Sequence, residues 1–167
     1  MKDNDQTKID MSSWDEIHVD GWFRGLIPAE WEIEDEEEVV IFDPAGFGEI
    51  RMNMFVKNDN KSRKQRASEI IREWSNELGP SYDREVSYFK RRREILALSA
   101  EYIGSEPDGE MVYWRIFPLI GEKLALDISY SCSLEDRDRE RIIVENIIDS
   151  ISLLEKIENK IKVPLMD

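Results

Sequence analysis

The sequence predicts an α+β fold, a three-layer α/β/α sandwich around a central antiparallel sheet of about six strands. Three observations lead there. Apolar residues alternate along two neighbouring stretches, Val112, Trp114, Ile116, Pro118 and Ile120, then Leu124, Leu126, Ile128, Tyr130 and Cys132. Only Gly121-Glu122-Lys123 separates them, which is the pattern of an antiparallel hairpin. Tyr113, Phe117 and Leu119 place apolar side chains on the opposite face of the first strand, so both faces of the sheet need a cover. Two stretches with three- and four-residue apolar spacing, one in mid-chain and one near the end, supply the covering helices.

Taken in order, residues 1–13 are polar and without period, which predicts a flexible N-terminal arm ahead of a single domain over 14–153. Ile17 to Ile27 reads as strand, followed by a proline-led turn at Pro28 and by Trp31. Seven of the nine residues from Glu30 to Glu38 are acidic, and the run reads as a solvated turn. Val39–Phe42, the turn residues Asp43-Pro44-Ala45-Gly46, and the alternation Ile50, Met52, Met54, Val56 predict a second hairpin. Ser62 and Gln65 have capping-box spacing, Ala67, Ile70, Ile71, Trp74 and Leu78 form a helical stripe, and Gly79-Pro80 ends it. Val86 to Ile103 reads as one strand region with Leu96, Leu98, Ala100 and Tyr102 on one side, turned by Pro107-Asp108-Gly109 into the final hairpin. Ser133 to Asp136 has the composition of a helix start, and Ile143, Val144, Ile147, Ile148 and Ile151 give the last helix its buried stripe. Leu154, Ile157 and Ile161 extend that stripe, so 154–167 is expected to be a helical extension that runs on or breaks near Ser152.

The stretches GWFRGLIPAEWEIE (21–34), VVIFDPAGFGEIRMNMF (39–55), MVYWRIFPLIGEKLALDISYSC (111–132) and ENIIDSISL (145–153), with the helix between them, resemble the PsbP-like fold. That fold is shared by the photosystem II PsbP subunit, the Mog-type Ran-binding proteins and bacterial domains of unassigned role, and the resemblance points to the bacterial branch. It covers residues 17 to 153. It implies a binding or accessory factor, and it brings no catalytic motif to carry over.

Composition sets the excluded classes. With 37 acidic and 23 basic residues the formal charge is −14, which opposes adhesion to nucleic acid or to anionic lipid. Neither a nucleic-acid nor a membrane partner is expected, and the absence of a basic, apolar leader points to a cytoplasmic setting. His18 and Cys132 are the only histidine and cysteine, so no zinc site, Cys-His pair or other metal or cofactor site is expected. Cys132 falls on the apolar face of a strand and reads as an inert core thiol. Gly46-Phe47-Gly48 precedes a strand, whereas phosphate cradles open a helix, so it reads as a hairpin loop. Asp127 stands out because it lies within a strand, and the expectation is an ion pair with Arg115 on the adjoining strand.

Charge is also segregated. Residues 57–93 hold eleven basic and six acidic residues, a local +5, so the rest of the chain carries −19. The sharpest point is Lys90, Arg91, Arg92 and Arg93, read either as a charge-protected edge strand or as a docking surface for an acidic protein or a second copy of the chain. The stripe Leu154, Ile157 and Ile161 is the other candidate binding element, folding back on the body or meeting a partner helix. The function expected is a non-catalytic protein-binding module: an adaptor, accessory or immunity-type protein with a protein partner or self-association. The alternatives are a small carboxylate-dependent hydrolase or lyase using Asp127, and a small-molecule carrier with ligand space between sheet and helix.

Overall fold

The computed structural model describes residues 9–88 and 96–155. Among the described residues, two antiparallel sheets and two α-helices form the fold. Strands β1 (Asp15–Val19), β2 (Phe23–Ile27) and β10 (Ser152–Leu153) make a small sheet in the order β1-β2-β10. Strands β3 (Glu32–Asp35), β4 (Val39–Phe42), β5 (Glu49–Val56), β6 (Tyr82–Tyr88), β7 (Leu96–Ser105), β8 (Met111–Ile120) and β9 (Leu124–Ser133) make a large one in the order β3-β4-β5-β9-β8-β7-β6. Helix α1 (Arg63–Leu78) covers one face; helix α2 (Arg141–Asp149) and the small sheet cover the other.

Strand alternation explains the two cores. On β7, β8 and β9, Leu98, Ala100, Tyr102, Ile116, Ile120 and Ala125 pack against Ala67, Ile70 and Ile71 of α1. Their neighbours Tyr113, Phe117, Leu119, Leu126, Ile128 and Tyr130 point the other way, onto Phe23 and Ile27 of the small sheet and Val144, Ile147 and Ile148 of α2. The three-layer reading therefore holds, with one more strand in the central sheet than expected.

Three local expectations change, and the last helix takes one of its two expected courses, the break near Ser152. Ile17 to Ile27 is two strands, because Gly21 takes a positive φ of 79° and turns the chain back on itself. The acidic run contains strand β3, whose Glu32–Asp35 pair with Val39–Phe42 at the edge of the sheet; only Glu36 to Glu38 make the turn. Ser133 does not start the last helix: its hydroxyl donates to Glu110, a short 3-10 turn spans Leu134–Asp136, and α2 begins at Arg141. The helix stops at Asp149 because the Ser150 hydroxyl donates back to the Ile147 carbonyl and accepts from the Leu26 amide, after which Ser152–Leu153 pairs with Phe23 and Arg24.

Helix α1 matches expectation. The Ser62 hydroxyl accepts from the Gln65 amide and the Gln65 side chain accepts from the Ser62 amide, a complete capping box. Ser62→Ala is expected to cost about 1 kcal/mol, read as a lower urea midpoint with unchanged slope. In β8, Pro118 has no amide hydrogen, and the β7–β8 ladder lapses beside it, pairing Ala97 with Leu119 and resuming at Ala100 and Ile116. Of the residues expected on one side of β7, Leu98, Ala100 and Tyr102 face α1; the Leu96 side chain lies outside the described ones.

Candidate functional site

The large sheet is wider than its cover. Helix α2 lies over the centre, and beyond it the α2-side faces of β6 and β7 are mostly polar, with Asp83, Glu85 and Ser87 opposite Ile103, Glu101 and Ser99. There the chain leaves an open cleft of about 500 Å3 between α2 and the sheet margin, lined by Asp83, Glu85, Glu101, Tyr113, Asp138 and Arg141 among others.

An ionic network runs from its lining residues Glu101, Tyr113 and Arg141 to Glu145 and the buried Arg115. Arg115 is 6% exposed, places a guanidinium nitrogen 2.5 Å from Glu145, and stacks over the Phe117 ring at 4.6 Å. Arg141, one helical turn before Glu145, reaches that carboxylate at 3.5 Å and Glu101 at 2.9 Å. The Tyr113 hydroxyl donates to the same Glu101 oxygen at 2.5 Å. Burial pushes the Glu101 carboxyl up, but the Tyr113 hydroxyl and the two arginines outweigh it and hold it below the usual range. Burial, reinforced by Glu101, pushes the Tyr113 phenol well above its ordinary value. Glu101 is therefore ionised and Tyr113 neutral across the physiological range. Such a network orders a surface.

Asp127 is not paired with Arg115. β8 and β9 present them on opposite faces, Arg115 with Phe117 on the α2 side and Asp127 with Ala125 on the α1 side. Asp127 instead accepts from the Trp74 indole at 2.9 and 3.1 Å, and Trp74 packs on Trp114 with ring centroids 5.4 Å apart. Burial raises the Asp127 carboxyl to about 6, with Glu73 and Glu77 adding to the rise against the Trp74 hydrogen bond.

A second acid went unforeseen. Glu140, 4% exposed at the start of α2, accepts from the Gly48 amide at 2.8 Å, the Phe47 amide at 3.3 Å and the Tyr130 hydroxyl at 2.8 Å. It clasps the β4–β5 loop to β9. Gly48 is required there, since a Cβ would come within 2.4 Å of the Ser131 carbonyl oxygen. Gly46-Phe47-Gly48 is thus a hairpin loop held by a carboxylate.

The other singled-out residues fall as follows. His18 is half exposed on β1, 3.4 Å from Asp20. Cys132 is buried and free, its thiol raised by burial. Leu154 is buried at 5% exposure and its amide donates to the Trp22 carbonyl, so at that position the tail folds back on the body. Lys90, Arg91, Arg92, Arg93, Ile157 and Ile161 lie outside the described residues. Among the described residues no three of His, Cys, Asp and Glu gather as a metal site, and no helix is long and apolar enough to cross a membrane. The signals for the cleft network were present in the sequence, as an arginine inside an apolar strand and an Arg-Glu pair four residues apart in a helix. Neither says which partners meet.

This architecture is a PsbP-like fold, α+β with helices and a minor sheet flanking a long antiparallel one. No family model and no curated protein matches the chain. Among solved structures it is similar to a cyanobacterial PsbP from Synechocystis sp. PCC 6803, at TM-score 0.60 and 10% identity over 87% of this chain and 95% of that one. It is similar also to LpqN of Mycobacterium tuberculosis, a protein involved in cell envelope biogenesis, at TM-score 0.60 and 11% identity over 84% of this chain and 90% of that one. A protein of Bacteroides thetaiotaomicron aligns at TM-score 0.61 and 16% identity over 84% of this chain, which spans 48% of its length. At these identities the likeness defines the fold, and it brings no catalytic role.

Proposed function

We propose that this chain is a non-catalytic protein-binding module, an adaptor or accessory factor whose partner is steered to it by charge. The observation that carries the reading is the cleft beside α2. Its inner pair Glu101 and Arg141 is committed to itself and, through Glu145, to Arg115 beneath, while Asp83 and Glu85 at its outer rim are exposed. A rigid, neutralised floor with a charged rim suits docking. The carboxylate-enzyme reading has less support, because both oxygens of Asp127 face the Trp74 indole in the interface under α1. The segregation of +5 in residues 57–93 from −19 elsewhere adds a long-range field that speeds encounter.

The test is native co-purification from the source organism at low and high salt, repeated with Arg91 and Arg93 neutralised in one variant and Lys90 and Arg92 in another. A single stoichiometric protein lost at high salt is the expected result, with weaker recovery by at least one variant. Recovery of no protein partner at low salt overturns the reading.

A further inference from the structure

Strand β6 ends the seven-stranded sheet. Among the described residues β7 is its only ladder partner, so half of its backbone N–H and C=O groups face outward from an open edge. Its side chains alternate. Tyr82, Arg84 and Val86 lie on the α1 side, Asp83, Glu85 and Ser87 on the α2 side. Both sides carry a cleft along the strand: the polar one beside α2, and a second of about 420 Å3 lined by Ser75, Asn76, Pro80, Tyr82, Arg84 and Tyr102. A strand added at this edge would drop its side chains alternately into the two.

The charges choose which strand fits. On the α2 side, Glu85 stands directly opposite Glu101, and Glu101 directly opposite Arg115, a cross-strand row reading minus, minus, plus. Glu101 is compensated by Tyr113 and Arg141, whereas Glu85 faces a like charge, an unfavourable pairing. A cation beyond Glu85 would complete the row as plus, minus, minus, plus, with Asp83 two residues along offering a second position. On the α1 side Arg84 is turned inward to the Ser75 hydroxyl at 3.0 Å, and Val86 is left 49% exposed. That side favours an aliphatic neighbour. The opposite edge, β3, is only four residues long.

We infer that β6 docks an extended segment of a partner protein as an eighth strand, one that alternates basic side chains over Asp83 and Glu85 with aliphatic side chains beside Val86. This rests on the protein-binding reading and adds where and what kind of segment. The tetrad Lys90 to Arg93 is not part of the site.

The test uses two fluorescent capped peptides, one alternating Val and Lys, the other Val and Glu, titrated into the full chain and read by anisotropy. The Val-Lys peptide is expected to bind and the Val-Glu peptide not to. Glu85→Lys should weaken Val-Lys binding about tenfold, as an opposite-charge pair becomes a like-charge one. It should leave the melting temperature equal or higher, because it also removes the Glu85–Glu101 clash. Glu34→Lys on β3 changes net charge equally and should leave binding unchanged. Equal binding by Glu85→Lys, preference for the Val-Glu peptide, loss only in Glu34→Lys, or a dimer of the chain that Glu85→Lys dissociates would each overturn the inference. If Glu85→Lys still co-purifies the native partner while the peptide fails, the edge is wrong and protein binding stands. If the wild type recovers no partner, that broader reading fails.

Discussion

Glu140→Ala is expected to be strongly destabilising, at about 3–5 kcal/mol. The carboxylate is 4% exposed and serves three donors, the Phe47 and Gly48 amides and the Tyr130 hydroxyl. Removing it leaves those donors without their acceptor, and a buried donor left without one costs roughly 1–3 kcal/mol. The damage is not local. Tyr130 is 2% exposed in the α2-side core, and the β4–β5 loop leads into β5, which pairs with β9 along its whole length. Glu140→Gln keeps one acceptor oxygen and should lose about half as much. Urea unfolding of both variants checks this. Equal, small losses would mean that the loop is held by its backbone turn, the Gly46 amide donating to the Asp43 carbonyl, and not by the clasp.

The contrast between Glu140 and the elements around it shows what sequence could deliver. Hairpins, the α1 cap and the two-sided apolar strands were readable, because each depends on neighbours within a few residues or on a period. So was the resemblance to the PsbP-like fold, which rested on element order. What failed were judgements about which distant groups meet. Asp127 and Arg115 are on adjoining strands, and only the register, pairing Asp127 with Pro118 and Arg115 with Tyr130, sends them to opposite faces. A one-residue difference in register reverses such a conclusion. The end of α2 is legible only as two alternatives, a run-on or a break near Ser152, for a related reason. Its apolar spacing continues past Asp149, yet Ser150 finds Leu26 across the small sheet, and that tertiary contact outweighs the local period. Glu140 was one carboxylate among 37 acidic residues, and nothing in its neighbours marks it as buried. The exposed Glu85 was equally unmarked; its meaning comes only from the row it forms with Glu101 and Arg115.

Asp127→Asn is expected to stabilise the protein above neutrality, by up to roughly 3 kcal/mol, and to remove the loss of stability that Asp127 causes as pH rises from about 4 to 6. The sign follows from the direction of the shift. The folded carboxyl titrates at about 6, above the value near 3.9 of an unfolded chain, so the native state binds this proton more tightly. Stability is therefore greatest while the group is protonated and declines as pH rises through the window, until above 6 the fold holds a buried carboxylate beneath α1. Glu73 and Glu77 on the same helix deepen the penalty, and the Trp74 indole recovers only part of it. Asparagine keeps an acceptor for that indole and carries no charge. Wild type and variant should converge near pH 4 and separate as pH rises to 8, measured by urea midpoints followed by tryptophan fluorescence. The ion pairs of the cleft work in the opposite direction: Glu101, held below its ordinary value, contributes stability that is lost on acidification. The variant removes the first dependence and leaves the second, so its stability should fall monotonically below pH 5. A variant less stable than wild type at pH 8 would show instead that the charged Asp127–Trp74 contact holds α1 to the sheet, and that its hydrogen bond exceeds the desolvation it costs.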